Sequence, residues 1–434
     1  MIIDFSRLTK DILAGLTTSF AAIALGAAFG VQSGRGAFAG MIAAGVIPIV
    51  TSILGGTRLQ ASGPTAPMTA VSVLLIGYAY DQMAYTGNPN GFVTLTILMM
   101  MVILVLSGVF RLGKLVTYIP NVVVLGFMNG IAVIIWRDQI KELFGLGGVD
   151  ALTGNQWQNI ALALFTFTII LFFPLLLTKL QIPERLRPFI PGTLVTIIAM
   201  TYFFFYSQLN LQTVALGASV NSVQDFGNLV GSYFPTASLL TPEILLKALP
   251  FALQLSLLCY LDSLLTSLVI DKMTKETTDK NRELIAQGLA NGLSGLLGGI
   301  PGAQATIRSV ILLKEGAQTR LAGVFVGIFA LLGVFVFKDV ITLVASSIFV
   351  GVLFKAGLDV FEKDFFNDFF ATKGWKNSDS IWQMAIVVFT TIITVVFDLN
   401  LAVFLGTAMF YAAKYFLKVK DASQGEETSV LAEA

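Results

Sequence analysis

Histidine is absent from this 434-residue chain, cysteine occurs once, and only 12% of the residues are charged. Without histidine there is no Ser-His-Asp or Cys-His catalysis, no His-ligated haem and no His-containing metal site. Cys259 alone permits neither an intrachain disulfide nor a cysteine cluster, so the sequence does not report a redox compartment. The charged fraction is about half that of an ordinary soluble protein. With 27 Lys+Arg against 26 Asp+Glu, the net charge of +1 offers no global attraction for nucleic acid or an acidic partner. A Walker P-loop is missing, as is any basic patch interleaved with aromatics. What remains is apolar: 56% of the residues are hydrophobic, which points to an all-α polytopic membrane protein.

Apolar stretches recur at about 11–31, 37–54, 64–77, 93–110, 116–136, 158–178, 190–206, 246–270, 284–300, 303–313, 321–337, 340–354, 381–397 and 399–416. Most approach the ~20 residues that a helix needs to cross the hydrocarbon; the third and tenth are too short. Crowded boundaries leave twelve spans as the alternative to fourteen. The charged, amphipathic start MIIDFSRLTKD reads as a cytosolic lead-in, because no small-residue cleavage site follows the first apolar stretch. With that end inside, only Arg35, Arg137, Lys141, Lys247 and Lys338 fall on the outer side, and Arg308 falls within a short span. All other Lys and Arg face the cytoplasm, and the segment from Ser207 to Leu246 carries none, as expected of an exported loop.

The two halves carry matched interruptions. Gly55-Gly56 leads through TRLQAS into Gly63-Pro64-Thr65-Ala66-Pro67, which opens short span three. Gly298-Gly299 leads through Ile300-Pro301-Gly302-Ala303-Gln304-Ala305-Thr306-Ile307-Arg308 into short span ten. Seven spans per half would invert the second half relative to the first, the pattern of an inverted-repeat transporter with its site at the midplane. Two half-helices would aim free N–H groups and positive dipole ends at one spot, although Gly and Pro also simply kink packed membrane helices. The expected organisation is a first repeat at 1–206, an external connection at 207–245, a second repeat at 246–417 and a disordered cytoplasmic tail at 418–434.

Two charges stand where lipid-facing helices have none. Asp262 lies near mid-depth of span eight, where a carboxylate costs ~2.5–3.5 kcal/mol and normally faces a cavity. Thr266 falls one turn on, and a carboxylate, a hydroxyl and open carbonyls suit a small hard cation; a structural ion pair or helix–helix hydrogen bond is the alternative. Arg308 opens short span ten and can fork onto an oxyanion, or else pair with Asp262 or snorkel to an interface. Asp271 reads as a solvated span end, Asp398 as a helix N-cap, and the 35 phenylalanines as lipid-facing bulk.

Several stretches together resemble the sulfate permease (SulP) family of inorganic anion transporters, over nearly the whole chain. They are Asp11-Ile-Leu-Ala-Gly-Leu, Ala28-Phe29-Gly30, Gly63-Pro64-Thr65-Ala66, Ile119-Pro120, Gly126-Phe127-Met128-Asn129-Gly130, and above all Asn281 through Asn291 followed by Gly298-Gly299. The resemblance implies about fourteen segments in two inverted repeats, with spans one to four and eight to eleven forming a mobile core and the others a gate. It implies an anion site lined by Phe29, Thr65, Ala66, Ala305 and Thr306; the separate reading of Arg308 as an oxyanion ligand would add it to that site. Leu261-Asp262-Ser263-Leu264-Leu265-Thr266 is similar to the sodium-dependent, bicarbonate-transporting members, where most others have Glu-Ser. That similarity implies sodium held by Asp262, Thr266, Gln304 and Thr306, with Gln304 acting through its backbone carbonyl because it replaces a glycine. Arg308 stands where those members have glycine and many others a basic residue, and Ala24 replaces a usual proline. No STAS domain follows the last span, as in a natural short form or a truncated chain.

The expected activity is secondary active transport of sulfate or bicarbonate, by sodium-coupled symport and an elevator movement of core against gate, with proton coupling as the alternative. A passive anion channel or exchanger, and a nucleobase permease, stay open on the same scaffold. No enzyme activity and no cofactor are expected, sodium being a coupling ion. The expected partners are the anion, the bilayer and a second copy of the chain, with no nucleic acid. The expected location is the inner membrane, with both termini cytoplasmic.

Overall fold

In a lipid environment each backbone N–H and C=O must be satisfied within the chain, and this sequence meets the demand almost entirely with helices. A computed structural model describes residues 5–146, 151–183, 190, 192–214, 223–397 and 399–417. The helices are α1 (Phe5–Gln32), α2 (Ala37–Leu54), α3 (Ala66–Gln82), α4 (Pro89–Val109), α5 (Asn121–Phe144), α6 (Gln156–Lys179), α7 (Gly192–Tyr206) and α8 (Val223–Tyr233). They continue with α9 (Pro242–Thr274), α10 (Lys280–Leu296), α11 (Thr306–Lys314), α12 (Leu321–Ile341), α13 (Ser346–Val360), α14 (Lys363–Ala371), α15 (Ser378–Val396) and α16 (Leu399–Leu417). Two short strands, β1 (Ser62–Gly63) and β2 (Ala303–Gln304), pair with one another. Each expected span coincides with a helix, and α8 and α14 are additional. Seven of the described helices are long and apolar enough to cross a bilayer, namely α1, α2, α4, α5, α6, α9 and α15. The third span runs further than expected, to Gln82, whereas α11 has only 9 residues. At 1.5 Å per residue, α11 covers about half of the ~30 Å hydrocarbon core. Asp398, the tail at 418–434, residues 215–222 of the Ser207–Leu246 segment and the basic Arg185 and Arg187 lie outside the described residues.

The chain divides into two compact units, and each draws on both halves of the sequence. One comprises Met1–Lys114 with Lys141–Leu353 and the other Leu115–Ile140 with Phe354–Ala434. Helices α6 and α7, expected with the gate, group with the first unit, where α7 lies against α1 and α6 meets α13 at Gly351.

Within the first unit the packing repeats. Helix α2 packs on α12 as α10 packs on α4, and α1 packs on α12 as α9 packs on α4, so elements seven spans apart exchange places. The α1–α2 crossing is tight enough that a Cβ on Gly40 would stand 1.8 Å from the Gly26 carbonyl oxygen. Gly40→Ala is therefore expected to destabilise the protein by ~1–3 kcal/mol, read as a lower melting temperature in detergent. Asp11 on α1 accepts from the N–H groups of Gln318 (2.7 Å) and Thr319 (3.1 Å), anchoring the start of α12. Helix α8 docks through Tyr233, whose ring lies 4.4 Å from the buried Arg35 guanidinium, while Arg35 donates to the Gly299 carbonyl at 3.1 Å.

In the second unit, α5 lays Gly126 and Gly130 against Val387 and Thr394 of α15. Between them Asn129 accepts from the Glu362 N–H at 2.9 Å, so the Gly-Phe-Met-Asn-Gly stretch is a packing surface with one polar anchor.

Candidate anion and cation site

The site grows from the two interruptions. β1 runs antiparallel to β2, with Ser62 opposite Gln304 and Gly63 opposite Ala303. The chain leaves this ribbon in opposite directions, into α3 after the N-cap Thr65 and into α11 after the N-cap Ala305. Neither N-cap supplies a side-chain hydrogen bond, so the first-turn N–H groups of two half-helices keep their capacity for an external acceptor. Thr65 and Ala66 are buried, Ala305 is half-buried and Thr306 is exposed. Phe29 is buried on α1, the helix that packs on both α3 and α11.

Helix α9 brings oxygen ligands to this ribbon. The Thr266 hydroxyl donates to the Gln304 carbonyl at 3.2 Å and lies 2.7 Å from the Thr306 hydroxyl. A hydroxyl has one proton, so Thr306 donates to Thr266 when Thr266 donates to Gln304. The Gln304 side chain is held elsewhere, its Oε1 accepting from Thr57 at 3.4 Å, which leaves only the backbone carbonyl at this spot. Ser263 adds a fixed point by accepting from the Gln304 N–H at 3.2 Å. One turn before Thr266, Asp262 is half-buried; its Oδ2 has no hydrogen-bond partner, and Thr65 stands beside it short of bonding geometry. Two hydroxyls and a carbonyl thus meet at the ribbon, with the Asp262 carboxylate one turn earlier on α9, a hard-oxygen donor set suited to a small cation.

Arg308, 1% exposed, is among the largest fully buried side chains. Its Nη2 donates to the Pro64 carbonyl at 2.9 Å, while Nε and Nη1 are buried without a partner. It attracts Asp262 electrostatically but makes no contact ion pair with it, and it does not reach an interface. Both alternatives considered for Arg308 from the sequence are thereby set aside. The guanidinium lies over Gly63, where a Cβ would meet Nη1 at 3.1 Å and where φ is +146°. The backbone conformation favours glycine there, and a Cβ would press on the guanidinium.

Sequence reasoning missed the scaffold beneath the ribbon. Ser309 accepts from the Ala61 N–H at 3.1 Å, and Ala305 donates to the Ala61 carbonyl at 3.4 Å. Below them Arg320 and Arg282 satisfy the carbonyls at the end of α2, Arg320 reaching Gly55 at 2.7 Å and Arg282 reaching Leu54 at 2.7 Å. The polar side chains of α10 complete the scaffold. Their four-residue spacing in Glu283, Gln287 and Asn291 was the signal available.

A bundle of apolar helices, broken twice at one ribbon beside a guanidinium with two unpartnered nitrogens and a carboxyl with one unpartnered oxygen, has the architecture of a polytopic membrane transporter built on interrupted helices. The chain belongs to the sulfate permease family, whose sequence profile matches residues 8–380. It is 29% identical to the bicarbonate transporter BicA of Picosynechococcus sp. over 450 residues, covering 100% of this chain and 74% of that protein. It is also 29% identical to the putative sulfate transporter YvdB of Bacillus subtilis over 423 residues, covering 96% and 74%. The solved transmembrane domain of a cyanobacterial BicA superposes with a TM-score of 0.75 at 28% identity, covering 92% of this chain and 98% of that one. SLC26A9 shares the fold alone, with a TM-score of 0.73 at 16% identity, covering 95% and 66%. The family and these relatives are transporters, not enzymes.

Proposed function

We propose that the protein carries bicarbonate or sulfate across the inner membrane by sodium-coupled symport. The anion is held by Arg308 and the first turns of α3 and α11, with Phe29, Thr65, Ala66, Ala305 and Thr306 around it. Sodium is held by Asp262, Thr266, Thr306 and the Gln304 carbonyl. The observation that carries this reading is the pair of unsatisfied groups at one ribbon: Arg308 Nε and Nη1 ask for an oxyanion, and Asp262 Oδ2 asks for a cation. Burying both ions together cancels much of the charge that each would bring alone. The carrier moves as an elevator, because both ions rest on elements of the first unit, whose repeat-related packing lets it travel as a body.

The deciding experiment is uptake of labelled bicarbonate and sulfate into proteoliposomes, with and without an inward sodium gradient. Saturable, sodium-stimulated uptake of either anion is expected. Uptake indifferent to sodium but driven by an inward proton gradient would replace the coupling ion, and non-saturating flux without counter-transport would indicate a channel. Both termini are cytoplasmic on the distribution of basic residues. Cysteines introduced at Ser222 and Ser423 are expected to label from opposite sides of the membrane. The native Cys259 is fully buried and adds little background. Labelling of both from one side would overturn the inverted arrangement.

A further inference from the structure

One face of α10 carries Glu283, Gln287 and Asn291 at four-residue intervals, a polar column about 12 Å long. All three are 0% exposed. Each grips a different piece of the chain that leads into the half-helices. Glu283 Oε2 accepts from the N–H groups of Gly56 and Thr57, both at 2.9 Å, and from Gln60 Nε2 at 3.0 Å. Gln287 Nε2 donates at 2.9 Å both to Glu283 Oε1 and to the Ser62 hydroxyl in β1. The Ser62 hydroxyl in turn donates to Gln60 Oε1 at 3.0 Å. Asn291 treats Gly302 as a neighbouring strand would, accepting from its N–H at 2.7 Å and donating to its carbonyl at 3.0 Å. The column therefore fixes the approach to β1 at two heights and the approach to β2 at a third.

Leucine or alanine at these places would leave the Gly56, Thr57 and Gly302 N–H groups without acceptors, and an apolar contact tolerates sliding. A chain of directional hydrogen bonds does not. The ribbon so held supplies the Pro64 carbonyl that Arg308 Nη2 binds, and it sets where the first turns of α3 and α11 begin. We infer that Glu283, Gln287 and Asn291 are positioning residues that hold the ribbon, and with it Arg308 and both half-helix ends, in the register that binds the anion. The inference rests on the reading of that place as the anion site.

The test is a double-mutant cycle across one contact, Gln287→Met and Ser62→Ala, singly and together. Dissociation constants for bicarbonate and sulfate are measured from anion-dependent thermal shifts in sodium buffer, alongside initial uptake rates. Each single variant removes two hydrogen bonds and is expected to raise the dissociation constant and KM at least about fivefold, with kcat little changed and a modest fall in the anion-free melting temperature. Gln287→Met also removes the bond to Glu283 Oε1 and Ser62→Ala the bond to Gln60 Oε1, so the loss in the double variant is expected to fall short of the sum of the single losses by the worth of the shared contact. If Gln287→Met does not fold, Ser62→Ala carries the comparison alone. Wild-type binding with unchanged constants in the variants would overturn the positioning role. So would additive losses that follow a fall in anion-free melting temperature. Failure of the wild-type protein to bind either anion would instead overturn the anion site itself, and this inference with it.

Discussion

Asp262→Asn is expected to abolish sodium-stimulated anion uptake while leaving the protein folded and in the membrane. The substitution keeps shape and removes charge. A carboxylate at mid-depth of a membrane helix costs ~2.5–3.5 kcal/mol, so folding loses nothing when the charge goes. What is lost is the one anionic ligand in a cluster whose other members, Thr266, Thr306 and the Gln304 carbonyl, are neutral. Under the proposed symport sodium and anion would each raise the other's affinity, and linkage would make the two enhancements equal. In the wild type, sodium is expected to lower the apparent anion constant; in Asp262→Asn, sodium leaves it unchanged. Thr266→Val removes one oxygen but keeps the carboxylate, and should weaken the sodium dependence without eliminating it. A normal sodium response in Asp262→Asn uptake would place the cation elsewhere.

Arg308→Gln is expected to weaken anion affinity, and more for divalent sulfate than for monovalent bicarbonate. A hydrogen bond to a charged group is worth ~1.5–3 kcal/mol, about 10- to 150-fold in affinity. Glutamine is shorter and neutral, so it loses the two free donors, Nε and Nη1, as well as the bond to Pro64. A carrier that relied on the half-helix ends alone would show the same constants before and after. Unchanged affinity for every transported anion would assign Arg308 to holding Pro64 and nothing more.

Most of the helices are legible because a bilayer leaves the chain few options: a long apolar run must become a helix that spans. Asp262 stood out for the same reason, as a single acid in the apolar run of α9. Helices α8 and α14 escaped notice because they are short and amphipathic, with polar residues interrupting any hydropathy window. The matched Gly/Pro segments marked the starts of α3 and α11, but two-residue strands have no periodicity from which pairing can be read, so the ribbon itself was invisible. Arg308 could not be assigned from sequence, since its fate depends on where the Pro64 carbonyl lies, more than two hundred residues earlier in the chain. The end of α3 was placed short because Tyr78, Tyr80 and Asp81 read as an exit from the apolar stretch, yet the helix continues through them.

The pairing of Ser62 with Gln304 has a consequence for biogenesis. Strand β1 leaves the ribosome about 240 residues before its partner, and at ~5–20 residues per second that is a delay of ~10–50 s. Throughout that interval the nascent chain holds Thr65 and the start of α3 without β2 or the α10 column beside them. The binding centre comes into being late and all at once. A chain released before Gln304 is synthesised therefore lacks the ribbon on which the proposed site is built.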